Sequence, residues 1–274
     1  MSWRLVKSLI PPCITELYKA WSPRHLRLTD GPTSWHEALS KSTGYSLSEI
    51  CRRAVESARG VVNGSAKYER DTVLFNDDGL PLHVLSALLR AASLNQGRLQ
   101  VLDFGGSLGS TYFQSRRFLD GLKTIDWRVV EQPAFAEAGR AEFGNSELAF
   151  FSALEDAIPL SPNSIFLLCS VLQYLEAPDG LLRDVARTSA RHLVIDRTPV
   201  HDVDDQHRLY VQRVPSQIYA ASYPCWVLSR RSLLNTLADD WSLVTEYTCE
   251  EGASMTRDGL RFMFKGLILE RKPC

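Results

Sequence analysis

The chain has no Cys-x-x-Cys pair. Its six cysteines, Cys13, Cys51, Cys169, Cys225, Cys249 and Cys274, are scattered. That removes the ligand spacing of a zinc site and makes free thiols in a reducing compartment the expected state. Charge of one sign is not in excess either, with 31 Lys and Arg against 32 Asp and Glu and a formal net charge of −1. A nucleic-acid binder working through a broad basic face is thereby excluded. Long apolar runs are missing. The mildly amphipathic segment 1–10 is cut by Pro11-Pro12, is too short and too charged to span a bilayer, and lacks a signal-peptide cleavage pattern. A cytoplasmic protein without an integral membrane segment is expected. Repeats and low-complexity tracts are absent as well. What remains, 45% hydrophobic and 23% charged over 274 residues, has enough apolar content for a sizeable core.

Against that plain background one stretch stands out, Leu99-Gln-Val-Leu-Asp-Phe-Gly-Gly-Ser-Leu-Gly109. It reads as a buried strand ending in an acid, then a glycine-rich turn, then a helix. Gly105, Gly106 and Gly109 have no Cβ to keep a ligand from the backbone. A dinucleotide fingerprint requires G-x-G-x-x-G, but Ser107 stands where its second glycine belongs. The acid Asp103, two residues before the first glycine, suits a cationic or amine-bearing ligand better than a pyrophosphate.

From Leu99 the chain alternates strand and helix, which predicts an α/β parallel sheet. Strands are expected over 99–103, 126–131, 148–152, 164–169 and 192–196, with helices over 111–121, 133–143 and 178–189 and another after Ser229. Segments 241–248 and 261–270 predict a closing antiparallel hairpin at the sheet edge. Upstream, residues 1–45 read as an irregular lead-in. Ser46-Leu-Ser-Glu49 is a capping box opening a helix with Ile50, Ala54 and Ala58 on one stripe. A second helix runs from Pro81 to Leu94 with Leu82, Leu85, Leu89 and Ala92 as its core face. The expected organisation is a lead-in and helical cap over 1–95, followed by a ligand-binding domain over 96–274.

In such a sheet ligands lie beyond the carboxyl ends of the strands. Glu131, at the tip of the second strand, is placed to accept two hydrogen bonds from a ribose diol. Asp103 as a loop cap and Glu131 as an exposed strand-end acid are the plainer readings.

The pattern Val101-Leu-Asp-Phe-Gly-Gly-Ser-Leu-Gly109 resembles motif I of class I S-adenosylmethionine-dependent methyltransferases. With Trp127-Arg-Val-Val-Glu-Gln132, Ser170-Val-Leu-Gln-Tyr-Leu175, Asp196-Arg-Thr-Pro199, Ala221-Ser-Tyr-Pro224 and Tyr68-Glu-Arg-Asp71, it is similar to a family of bacterial methyltransferases found among surface-polysaccharide biosynthesis genes. The similarity spans roughly residues 35–250. It implies a Rossmann-like class I methyltransferase fold, a parallel sheet with a C-terminal antiparallel hairpin and an N-terminal helical cap, and S-adenosyl-L-methionine as cofactor. It further implies that Asp103, Gly105, Gly106 and Gly109 hold the methionine moiety. Glu131 would bind the ribose, with Gln132 beside the adenine and Ser152, Ala153 and Leu154 lining its pocket. Ser170, Val171 and Tyr174 would floor the cofactor and face its methyl group. An Asn-Pro-Pro-Tyr sequence after the fourth strand is missing, which speaks against an adenine-type amine substrate.

For the acceptor, His201 and His207 lie in Asp196-Arg-Thr-Pro-Val-His-Asp-Val-Asp-Asp-Gln-His207, where either could serve as a general base near neutral pH. The same cluster has the residue types of a metal site, although no ligand comes from the end of the fourth strand, and it also reads as a solvated loop. Arg197, Tyr219, Tyr223 and Trp226, with Tyr210 and the arginines Arg208, Arg213, Arg230 and Arg231, suit a sugar ring bearing phosphate or carboxylate. Core aromatics with surface arginines are the alternative. Tyr68 and Arg70 are candidates to close over the cofactor carboxylate, or to form a helix-end salt bridge. The expected activity is O-methylation of a sugar, sugar nucleotide or other small polar metabolite. An NAD(P)-dependent oxidoreductase is disfavoured, because 28 residues separate Asp103 from Glu131 where that fingerprint has about 20. A non-catalytic cofactor-binding partner of a biosynthetic complex is the third reading.

Overall fold

A computed structural model of the chain describes residues 27–29, 31–43, 47–77, 79–214 and 221–273. The segment 1–10, Ser46 of the capping box, and Tyr219 lie outside the described residues.

The central strands are β4 (Arg98–Phe104), β5 (Thr124–Val130), β6 (Leu148–Phe151), β7 (Ile165–Cys169) and β8 (His192–His201). They pair in parallel in the order β6-β5-β4-β7-β8. Every residue of β7 is buried, as expected of a parallel strand covered on both faces. Next to β8 lies β12 (Arg261–Arg271), antiparallel to it, and β12 in turn pairs antiparallel with β11 (Trp241–Met255). The result is an α/β Rossmann-like sheet in which the reversed strand β12 lies between β8 and β11, the layout that the alternation and the closing hairpin predict.

Helices cover both faces. On one side α2 (Leu47–Val62), α3 (Leu82–Leu94), α4 (Ser110–Arg116) and α5 (Pro133–Glu142) join Val101, Trp127, Val129 and Leu167 in a single cluster of buried residues. On the other side α6 (Leu154–Ala157), α7 (Pro178–Arg187) and α8 (Arg230–Leu237) pack on Leu102, Phe166, Leu168 and Ile195. Segments on either side of residue 95 therefore share one core.

Several expectations need correction. The inward face of α3 is Val84, Leu85, Leu88, Ala91 and Ala92, whereas Leu82 and Leu89 are exposed; the helix is turned so that small residues meet the sheet. The lead-in is not wholly irregular. It contains β1 (Arg27–Thr29) and α1 (Trp35–Ser40), and the Ser34 hydroxyl caps α1 by accepting from the Glu37 N–H at 3.2 Å. A hairpin, β2 (Tyr68–Arg70) with β3 (Val73–Phe75), precedes α3. Strand β8 continues five residues beyond the expected end at 196, and a small antiparallel wing follows it. The wing comprises β9 (Arg208–Arg213) and β10 (Ser222–Ser229), with β1 on the outer edge of β9. It is joined to β8 through the parallel pairs Leu228–Val200 and Ser229–His201.

Candidate functional site

The carboxyl ends of β4 to β8 form one crevice. Strand β4 delivers Asp103, which is fully buried. Its Oδ2 accepts from Trp127 Nε1 at 3.2 Å, while Oδ1 is buried with no partner. Burial, against the opposing Trp127 bond, pushes the Asp103 carboxyl up to about 7. The chain then turns through Gly105, at φ +74°, where a Cβ would stand 2.5 Å from a Val171 methyl group. At Gly106 a Cβ would stand 2.5 Å from the Asp103 carboxyl carbon. Only glycine permits this approach. Ser107, at φ +53°, then points its N–H at Glu131 Oε1, 3.2 Å away.

Glu131 follows β5 directly, and its other oxygen accepts from the Gln132 N–H at 2.8 Å. Burial raises its pKa against these two bonds. Because Phe104 pairs with Val130, the tips carrying Asp103 and Glu131 are neighbours, and both acids face the same turn. The Glu131 N–H donates to Phe151 O at 3.0 Å, which sets Ser152, Ala153 and Leu154 beside them on the next strand tip. Gln132 is exposed at the start of α5. On the other side of β4, Ser170 adopts φ +56° and donates its N–H to Asp196 O at 2.9 Å. Val171 packs against Gly105. The turn Leu172–Tyr174 brings the Tyr174 hydroxyl to 3.2 Å from Gln212 Oε1 on β9.

Midway along β8, level with the end of β7, Asp196 is buried and accepts from the Tyr247 hydroxyl at 2.7 Å and the Cys249 thiol at 3.5 Å. Tyr247 itself stacks flat on His83, with ring centroids 3.8 Å apart. Arg197 adopts φ +50°, a conformation that a long side chain adopts at a cost. Its Nε lies 3.7 Å from Asp196 Oδ2. The nearby carboxylates Asp71, Asp196 and Glu251 oppose the burial of its guanidinium and keep it charged.

The β2–β3 hairpin is tied to the start of α4 and to β11, and the sequence assigned no role to its Glu69, Asp71 and Thr72. The Ser110 hydroxyl, at the start of α4, donates to Glu69, whose pKa burial raises. Arg70 reaches Glu251 on β11 at 3.3 Å, and the turn itself is Asp71-Thr72 with φ +51° and +67°. That left-handed pair is the geometry of a tight two-residue hairpin, usually built from Asn, Asp or Gly. Thr72 hid it. Thr72→Gly is expected to raise stability by about 0.5–1 kcal/mol, since it removes a strained β-branched residue at a modest entropic cost. A higher urea midpoint at unchanged m-value would show it.

Other expected site residues are engaged elsewhere. Tyr68 is buried, stacks on Phe75 and donates to Asp77 at 2.8 Å; with Arg70 held by Glu251, neither is free to cover a cofactor carboxylate. His201 is buried, with Nε2 2.9 Å from Gln206 O and Nδ1 accepting from the Val203 N–H. His207 accepts from the Ser229 N–H at Nδ1, 2.9 Å, and its Nε2 lies 3.3 Å from Asp179. Both ring nitrogens of each histidine are thus engaged in this structure. The two histidines tie down the ends of the loop between β8 and β9. The expected aromatic wall also divides. Tyr223 and Trp226 lie three residues apart on β10 and so on opposite faces. Trp226 stacks on Trp35 and donates to Leu175 O. Arg208, Arg230 and Arg231 are paired with Asp204, Glu246 and Asp205. Tyr223, pairing with Gln212 across the strands, is the member that shares a face with Tyr174.

No protein-family model and no curated protein sequence matches the chain. Distant likenesses occur among solved structures. The N-terminal domain of EvdMO1, solved with SAH and D-fucose, is 16% identical, with a TM-score of 0.44 over 84% of this chain and 98% of that one. The 1,6-didemethyltoxoflavin-N1-methyltransferase of Burkholderia thailandensis, solved with its substrate and S-adenosylhomocysteine, is 15% identical (TM-score 0.40, 90% and 95% covered). A SAM-dependent methyltransferase of Methanosarcina mazei is 12% identical (TM-score 0.45, 64% and 93% covered). The strand order of this chain rests on its own pairing.

The described cysteines Cys51, Cys169, Cys225 and Cys249 are free and buried. An open groove of about 430 Å³ lies between α2 and α5, lined by Cys51, Val55, Ala134 and Glu142. Its lining includes none of the residues at the strand ends. Among the described residues no helix is long and apolar enough to cross a membrane.

Proposed function

We propose that this protein is an S-adenosylmethionine-dependent methyltransferase acting on a hydroxyl of a sugar or another small polar metabolite. One observation carries the reading: a fully buried carboxylate with an orphaned oxygen, Asp103 Oδ1, set against a turn that tolerates no Cβ. A buried acceptor without a donor costs about 1–3 kcal/mol, and an ammonium group entering along the glycine turn supplies that donor. Glu131 supports the same ligand. Its two oxygens hold single backbone N–H groups and retain lone pairs for a ribose diol. Gln132 and Ser152 to Leu154 flank the position the adenine would take, and Val171 with Tyr174 forms the floor opposite.

When bound, the cofactor supplies an activated methyl group on a sulfonium, whose departure as a thioether needs no acid. The chain's part is alignment and exclusion of water. The hairpin is fixed at Ser110 and Glu251, and Tyr174 with Gln212 lines the acceptor side. Calorimetric titration with adenosylhomocysteine and, separately, with NADH tests the proposal. Micromolar affinity for the first and none for the second is expected. Binding of NADH alone would replace this reading with a dehydrogenase. Binding of adenosylhomocysteine without methyl transfer to any acceptor pool would leave a non-catalytic binding partner.

A further inference from the structure

The acceptor end of the crevice is lined with more acids than the cofactor reading uses. Glu69, Asp71, Asp196 and Glu251 stand near Arg197, and among the described residues Arg70 is the other cation there, shared between Glu251 and the exposed Glu250. Most of these carboxylates are engaged. Glu69 accepts from Ser110 and from the Thr72 N–H, and Asp196 accepts from Tyr247 and Cys249. Asp71 has no hydrogen-bond partner among the described residues, although it stands in the field of Arg197 and Tyr174. It is exposed, on a turn with two consecutive left-handed residues whose hairpin is tied to Ser110 through Glu69 and to Glu251 through Arg70, and such strain persists where surrounding contacts impose it.

A second, independent observation concerns the buried polar atoms. Gln173 is 1% exposed, sits beside Tyr174 and donates to Ser170 Oγ, yet its Oε1 has no partner. Glu251 Oε2 is likewise buried and unpartnered. Both orphans, like Asp103 Oδ1, are acceptors, so the missing ligand atoms are donors.

We infer that the acceptor is recognised through a protonated amine, with Asp71 as its carboxylate partner and Gln173 and Glu251 taking its further hydrogens. An ammonium is a donor-only cation and meets both requirements, while a sugar phosphate or nucleotide would meet four carboxylates. The amine is a handle for recognition; the methylated atom is a separate hydroxyl. This inference rests on the methyltransferase reading.

The test titrates the protein, saturated with adenosylhomocysteine, with D-glucosamine, D-glucose and D-glucose 6-phosphate. Glucosamine is expected to bind about tenfold more tightly than glucose, with the phosphate weakest. Asp71→Asn, a residue equally suited to a left-handed turn, should abolish the preference and leave adenosylhomocysteine affinity within about twofold. Equal or tighter binding of the phosphate overturns the inference. So does a preference that survives in Asp71→Asn, or a wild type that binds no amine. Failure of adenosylhomocysteine to bind wild type is a different result: it removes the cofactor reading, and the amine series is then run on the protein alone.

Discussion

In the Asp103→Ala protein, affinity for adenosylhomocysteine is expected to fall about tenfold to a hundredfold, the loss of one charge-assisted hydrogen bond in a dry site. Calorimetry reads it directly, and affinity within twofold of wild type would remove Asp103 from the cofactor site. A second readout needs no ligand. Desolvation raises the Asp103 carboxyl from 3.8 to about 7, so the native state holds a proton there that the unfolded chain has released. The associated stability is fully present below about pH 4 and is lost as pH rises toward 7, where the native group also ionises. Urea denaturation of wild type between those pH values should therefore show declining stability, and Asp103→Asn should flatten the decline. A slope identical in the two proteins would assign the titration to another group. Binding of an ammonium-bearing ligand favours the ionised carboxylate, so near pH 7 it releases a proton.

Trp127→Ala is expected to cost about 3–5 kcal/mol, among the largest losses a single core truncation produces. Trp127 is fully buried on β5, stands edge-on to Tyr112 at 5.6 Å and supplies the one hydrogen bond that Asp103 receives. Its loss opens a cavity under the sheet and strands the second carboxylate oxygen as well. Urea titration measures the first effect; a loss below about 1 kcal/mol would show that the surrounding cluster collapses into the space. Trp127→Phe fills most of the volume and isolates the second, so it should weaken adenosylhomocysteine binding more than it weakens the fold.

The sheet was legible because parallel strands buried on both faces carry uninterrupted apolar runs such as Ile165-Phe-Leu-Leu-Cys169, and glycines and acids mark their carboxyl ends. The grouping of Asp103, Glu131 and the glycine turn at one edge was legible for the same reason, since they are consecutive with those strands. The acceptor end was not. Strands β9 and β10 mix arginine, tyrosine, proline and cysteine without strict alternation, and β9 pairs with 27–29 on one side and 222–229 on the other, a pairing that no local pattern announces. The hairpin was concealed by Thr72, whose left-handed conformation contradicts its propensity. The histidines drew attention through their titration range, whereas the packing engages His201 with backbone groups and His207 with the Ser229 N–H and the Asp179 carboxylate. Arg197 was found by its neighbours in sequence, but its surroundings of Asp71, Asp196 and Glu251 come from three separate segments.

Strand β12 lies between β8 and β11, although it is the last strand described along the chain. During synthesis the flank of β8 consequently stays unzipped until residues 261–271 leave the ribosome, with Ile195 and Leu193 beside an open ladder of amide and carbonyl groups. Such an edge invites pairing with other chains. Expression yield should accordingly depend on how quickly residues 261–271 follow β8 out of the ribosome.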